Sequence, residues 1–227
     1  MVVPNPDLQP EYGYNAEAGT AFKIGDVLDF DVSAYYTYLD HAIARGTATF
    51  NGNDSIDYDG ELSRVLSLQN ISSLTIFGVQ AQVKWKLAPF LQFTSAYNYQ
   101  KGREKDPDTG RDFPPTHVAP SFGSTHLIYS WKEKFKADVY ANYNGEIRYE
   151  DLALSERGDT HLYAKDADGN PYAPSWWTMN LKVSYTFKKY ITLDGGVENI
   201  LDKRYRPYSS GISAPGRNFI MSLRVGI

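Results

Sequence analysis

The sequence predicts an all-β protein, an antiparallel up-and-down sheet of about nine strands, and three observations carry that reading. Hydrophobicity alternates with a period of two almost everywhere, and no 3.6-residue stripe persists beyond about two turns. Gly and Pro fall in clusters that cut the chain into short segments. The connections between segments alternate strictly between short and long.

Strands are expected at roughly 12–22, 28–39, 74–87, 90–100, 122–132, 135–145, 176–187, 191–200 and 218–227. "KIGDV", "KLAPF", "WKEKF" and "FKKYI" are the short turns, and residues 40–73, 101–121, 146–175 and 201–217 are the long connections. If sequential strands pair as hairpins, all short turns lie at one end of the sheet and all long loops at the other.

Alternate residues on a strand face opposite sides of the sheet. One face collects Leu28, Phe30, Val32 and Ala34, then Phe77, Val79, Ala81 and Val83, then Trp177, Met179, Leu181 and Val183. The opposite face collects Asp29, Asp31, Gln80, Gln82, Lys84, Asp138, Lys182, Asp194, Glu198 and Arg224. A soluble β-barrel ligand carrier also has one apolar face, so alternation alone leaves that alternative open.

The placement of the rings favours a membrane. Tyr14, Tyr38, Tyr97, Tyr143 and Trp177 cluster at the long-loop end, and Phe22, Phe30, Trp85, Tyr129, Trp131 and Phe135 at the short-turn end. Between them lie Val32, Ala34, Ala81, Val83, Val139, Leu181 and Val183. Two aromatic girdles around an aliphatic band, on strands of about 9 to 11 residues, are the pattern of a transmembrane β-barrel.

Composition narrows the function. A net charge of −4 without a Lys/Arg block argues against nucleic-acid binding. With no cysteine and four scattered histidines, neither a disulfide framework, a metal site nor a cofactor is expected. No Ser/His/Asp order or phosphate loop suggests an enzyme. "MVVPNPDLQP" has no signal-peptide pattern.

Three motifs then carry a family resemblance. "GGVENILDKRYRPYSSGISAPGRNFIMSLRVGI" (residues 195–227) resembles the carboxy-terminal end of TonB-dependent outer-membrane receptors. Gly196, Val197, Asn199, Leu201, Asp202 and Tyr205, then Pro215, Gly216, Arg217 and Phe219, stand in that family's order. "NPDLQPE" (Asn5 to Glu11) resembles a segment that opens a mid-barrel strand. "QNISSLTIFGVQAQVKW" (Gln69 to Trp85) resembles the family's Gly-Val-Glu strand, with Gln80 in place of the Glu.

The resemblance implies about nine strands of a 22-stranded barrel, with residues 1–227 as the carboxy-terminal barrel part and the plug, TonB-binding segment and early strands absent. An odd number of antiparallel strands fits a partial barrel, because bacterial single-chain barrels are even. The implied location is the outer membrane of a Gram-negative bacterium. The implied partners are membrane lipid, the remaining barrel and plug, the TonB complex through that plug, and a small-molecule substrate. The implied function is energy-coupled uptake of a scarce nutrient, most often a ferric siderophore or other iron complex. Haem, cobalamin or oligosaccharide uptake and a passive porin-like channel are the alternatives.

Ligand candidates follow from the long loops. Arg103, Arg111 and His117 could meet an anionic or iron-bearing ligand through charge-assisted bonds. Arg148, Tyr149 and Trp176 could stack on or pair with it. His41 and His161 fall in loops and His126 on the polar face. "DADGN" (Asp166 to Asn170) resembles a calcium loop but lacks the closing Glu and the ligand spacing, so a turn is expected.

Overall fold

The structure, a computed structural model, describes residues 1–70, 73–105, 111–154, 156–159, 161–187 and 190–226, the side chain of residue 44 aside. Ile71 and Ser72 of the third motif, residues 106–110 of the second long loop, 188–189 of the "FKKYI" turn, and Ile227 lie outside the described residues.

Among the described residues nine long strands form the sheet: β1 (Tyr12–Ile24), β2 (Leu28–Asp40), β3 (Ser73–Ala88), β4 (Leu91–Lys105), β5 (Phe122–Trp131), β6 (Phe135–Asn144), β7 (Trp176–Phe187), β8 (Ile191–Glu198) and β9 (Asn218–Val225). Each lies beside the next in sequence, from β1 to β9, and Asp112–Phe113 adds a short tenth piece against β4. The pairing from β4 to β9 is antiparallel throughout. Strand ends agree with the expected ones to within five residues, several of them to the residue, and the largest difference is at β4, which runs on to Lys105 because Asp112 and Phe113 extend its ladder.

The short turns use backbone geometry suited to hairpins. Lys132 and Glu133 both take positive φ, 48° and 55°, and Lys134 N–H donates to the Trp131 carbonyl at 3.1 Å. Two positive φ values in sequence are a type I′ turn, whose twist matches that of the flanking strands.

The apolar face is outside. Along β7, Trp177 and Met179 are exposed while Thr178 and Asn180 between and beside them are buried, and Leu127 of β5 and Val139 of β6, each on a strand paired on both sides, are 43 and 37 % exposed. Among the described residues the buried apolar ones are instead Ala42, Val65, Tyr140, Ile147, Leu152, Ala153 and Ala173, none of them on the aliphatic band. A soluble barrel would bury that band in its own core, so the outward apolar belt argues for lipid contact. Rings pair across strands in both girdles: Tyr14 with Tyr38 and Tyr97 with Tyr143 at one end, Phe22 with Phe30 and Tyr129 with Phe135 at the other. Among the described residues no helix is long and apolar enough to cross a membrane.

The polar face carries a ladder of neighbouring polar pairs: Lys23 with Asp29 at 3.3 Å, His126 with Asp138 at 3.0 Å, Lys182 with Glu198 at 3.7 Å and Arg224 with Asp194 at 3.8 Å. His126 also stacks on Tyr140, 5.0 Å between ring centres. These groups satisfy one another, which accounts for His126 without a ligand.

By internal contacts the chain forms two compact units. The first comprises Met1–Ala16, Tyr36–Phe77 and Gly102–Pro115. There Val2–Val3 pairs in parallel with Leu66–Asn70, which pairs antiparallel with Ile43–Thr47, while Ser55–Tyr58 and Glu61–Arg64 form a hairpin. The "NPDLQPE" segment is tied down by side-chain amides and a carboxylate. Asn5 Nδ2 donates to the Leu68 carbonyl, Asn70 bonds both backbone groups of Gln9, and Ile43 N–H donates to Glu11.

Candidate loop binding site

The second unit comprises Glu17–Tyr35, Gly78–Lys101 and Thr116–Ile227, and contains loops 146–175 and 201–217. Loop 146–175 folds on a small core of Ile147, Leu152 and Ala173, with Tyr163 and Tyr208 packed against it. Two short 3₁₀ turns, Tyr149–Asp151 and Glu156–Gly158, shape its first half. Arg157 holds them together: its guanidinium donates to the carbonyls of Leu152 and Glu150 and lies 4.5 Å above the Tyr149 ring. "DADGN" is the expected turn. Both oxygens of Asp166 accept from within the turn, and Gly169 takes φ +86°.

The family-like residues of the last motif close loop 201–217 at both ends. Asn199 Nδ2 donates to the Lys203 and Pro215 carbonyls and its Oδ1 accepts from Lys203 N–H. Asp202 Oδ1 accepts from Arg217 N–H at 2.8 Å, and Arg217 Nε donates to the Ile200 carbonyl. A Cβ at Gly216 would come 2.6 Å from that same Asp202 oxygen, so a side chain there would displace the carboxylate from its bond to Arg217.

Between these loops lies a cavity of about 470 Å³. Trp176, its ring centre 4.1 Å from that of Tyr205 and tilted 31° to it, forms one wall, Tyr163 and Tyr208 add two more rings, and Lys203, Arg204, Arg206 and His161 contribute the polar lining. Arg206 is braced by its bond to the His161 carbonyl at 2.9 Å. Burial raises the phenol pKa of Tyr205, with the Glu198 charge adding to it, so the ring is a neutral stacking surface. Cations interleaved with rings can bind an anionic, aromatic ligand by charge-assisted hydrogen bonds and stacking. A larger trough of about 990 Å³ runs along the polar face between strands, lined by groups such as Asp31, Gln80, Gln82, Asn98 and Asn142.

Only some of the expected residues converge here. Trp176 lines the cavity. His117 sits 3.8 Å from Glu156, beside it. Arg148 is bound to Glu146 at 3.2 Å, and Tyr149 lies under Arg157. Arg103 and Arg111 belong to the other unit: Arg103 is on β4 and its carbonyl accepts from Thr75, and Arg111 lies in an exposed stretch before Asp112. Tyr163, Lys203, Arg204, Tyr205, Arg206 and Tyr208 are additions to the expected set. The signal for most of them is the run "DKRYRPY", with three cations and two tyrosines within seven residues.

A profile of the family "TonB dependent receptor-like, beta-barrel" matches residues 1–200. The chain belongs to this family and forms part of such a receptor's β-barrel. It therefore resides in the outer membrane of a Gram-negative bacterium, and its family is one of receptors rather than enzymes. Transferrin-binding protein A of Neisseria meningitidis serogroup B is 27% identical over 253 residues, covering 96% of this chain and 27% of that protein. Heme/hemopexin utilization protein C of Haemophilus influenzae (strain 86-028NP) is 27% identical over 228 residues, covering 95% of this chain and 29% of that protein. The solved siderophore receptor PirA from Acinetobacter baumannii shares the fold with a TM-score of 0.71 at 20% identity, over 99% of this chain and 33% of that one. The chain thus spans under a third of the length of the curated relatives it matches.

Proposed function

We propose that this chain is the carboxy-terminal barrel part of a TonB-coupled importer that takes up iron as a ferric siderophore or another iron complex. The observation that carries this reading is the cavity between loops 146–175 and 201–217, where Trp176, Tyr205 and the cations Lys203, Arg204 and Arg206 meet. Ferric siderophores of the catecholate type are anionic and aromatic, and both properties match that lining. The names of the relatives point the same way, since transferrin, haem and siderophores all bear iron.

In this reading the barrel supplies the pore wall and the loops supply first capture. The chain performs no covalent chemistry. Energy coupling belongs to a plug and the TonB complex. His117, Arg148, Tyr149, Arg103 and Arg111 then serve the loops' architecture or later ligand contacts, and Trp176 serves the site directly.

The test is growth of a receptor-deletion strain carrying this receptor on a panel of iron sources, with binding of a ferric catecholate followed by quenching of tryptophan fluorescence. Arg204→Glu with Arg206→Glu is expected to weaken binding at least about tenfold, as loss of charge-assisted bonds requires. Growth on haem or cobalamin alone, with no catecholate binding, would sink the reading.

A further inference from the structure

The short-turn end of the second unit carries more cations than its own acids can pair. Lys23, Lys84, Lys86, Lys132, Lys134 and Lys136 stand at or beside the turns, against Asp26, Asp29 and Glu133. Among the described residues the one ion pair that these groups make is Lys23 with Asp29. Lys84, Lys86 and Lys136 continue the polar face of their strands, Lys136 standing in register with Ser130 and Ser184. Lys132 is placed differently. Its ammonium lies 4.9 Å from the ring centre of Trp131, which is half exposed on the outward, apolar face.

A row of outward rings runs on from that tryptophan. Phe135 is its partner across the turn, Tyr129 packs on Phe135 with 6.2 Å between ring centres, and Phe90 packs on Tyr129 at 5.8 Å. The turn is tied down on both flanks. Ser130 N–H donates to the Phe90 carbonyl at 2.8 Å, and the Lys134 carbonyl accepts from Thr186 N–H of β7 at 2.7 Å. Lys132 and Lys134 are thus both exposed on a fixed rim, directly beside the belt.

From this placement we infer that the β5–β6 turn binds the headgroup of an anionic phospholipid, with Lys132 and Lys134 on its phosphate and the rings of Trp131, Phe135, Tyr129 and Phe90 against its glycerol and upper chains. Belt aromatics sit at headgroup level, so an ammonium resting on Trp131 stands at the depth of the phosphates. An ammonium has three donors, and a ring beneath it engages one side only, which leaves the rest open to phosphate oxygens. Short turns of outer-membrane barrels face the periplasm, so the occupant comes from that leaflet. A zwitterionic lipid offers the same phosphate, but its own cation is repelled by the lysines. Glu133, between the two lysines in the turn, opposes the binding, and Asp29 on β2 is taken by Lys23.

The inference rests on the lipid assignment of the outward face and is independent of the siderophore reading. The whole receptor is reconstituted in phosphatidylcholine vesicles that contain a small share of either brominated phosphatidylglycerol or brominated phosphatidylcholine, and quenching of tryptophan fluorescence is compared. Each lysine near an anionic surface is worth about fivefold in binding, so a preference of at least about fivefold for the phosphatidylglycerol is expected. Lys132→Gln with Lys134→Gln, exposed changes that leave the ring row in place, should bring the two lipids to equality, and Glu133→Gln should widen the preference. In Trp131→Phe the excess quenching should disappear. Equal quenching by the two lipids in the unaltered receptor, a preference that survives in the double lysine variant, or an excess that persists in Trp131→Phe would overturn the site. None of these outcomes bears on iron uptake, which the growth panel reads separately.

Discussion

The backbone N–H of Asn199 donates a 2.8 Å hydrogen bond to Oδ1 of Asn180, and both residues are almost wholly buried. Asn199 stands one residue past β8 with φ +49°, a left-handed conformation that Asn tolerates better than most residues. Its own amide bonds the two ends of loop 201–217, so this pair couples the end of the strand to the geometry of the loop. Asn180→Ala removes the acceptor and leaves a buried N–H unpaired, at a cost of about 1–3 kcal/mol. A lower urea midpoint for the receptor refolded in lipid vesicles is the expected reading; an unchanged midpoint would deny the pair its role.

The outward belt makes a depth-dependent prediction. Val183 faces outward at mid-strand, between Ala137 of β6 and Gly195 of β8. Val183→Arg places a charge in hydrocarbon at about 2–4 kcal/mol. Its yield of folded protein in vesicles should fall, whereas Lys182→Gln, on the polar face beside Glu198, should fold normally. Equal yields would remove the lipid assignment of that face.

A glycine on β3 lets a tyrosine reach across it. The Tyr35 hydroxyl of β2 donates to Gln100 of β4 at 2.9 Å, and a Cβ at Gly78 of the intervening β3 would overlap the Tyr35 ring. Gly78→Val is expected to lower stability by about 1–3 kcal/mol through overpacking, and Tyr35→Ala in the same chain should recover part of the loss. Unfolding midpoints of the two single variants and the double variant form the cycle that checks it. Additive effects would mean that ring and glycine act independently.

Tyr208 and Tyr163 give the loops a one-sided pH dependence. Burial, with Glu156 adding to it, raises both phenol pKa values in the folded loop. A group raised on folding stabilises fully below its unfolded pKa, about 10 for Tyr, and that contribution is lost as pH climbs toward the folded value. The loop core should therefore be indifferent to pH from neutrality to about 10 and loosen above it. Tyrosinate absorbance is the measurement: Tyr163 and Tyr208 should be among the tyrosines that ionise late, and Tyr208→Phe should remove one late step. Simultaneous ionisation of all tyrosines near the ordinary value would contradict the burial of this pair.

The nine strands are legible in the sequence because strand pattern is local. Period-two alternation, turn residues and ring placement can each be read within a dozen residues, and they locate β1 to β9 to within five residues at every end. The facing of Val183 and Lys182 comes from the same count. The candidate site is less legible. Trp176 and His117 stand out in the sequence and reach the site or its edge, but Arg103 and Arg111 go to a different unit, and Arg148 and Tyr149 find partners in Glu146 and Arg157. No periodicity links His117, Glu156, Tyr163 and Tyr208, which are up to 91 residues apart in the chain.

The sequence by itself determined the sheet, its two faces and the family resemblance, since alternation, girdles and motif order are properties of neighbouring residues. Tertiary structure alone decided which loop side chains meet. Loop 146–175 builds its own small core around Leu152, and that core turns Tyr163 and Tyr208 toward Glu156. Burial then separates an ordinary surface carboxylate from one enclosed by two phenols, and burial is a property of the packed chain rather than of any stretch of letters.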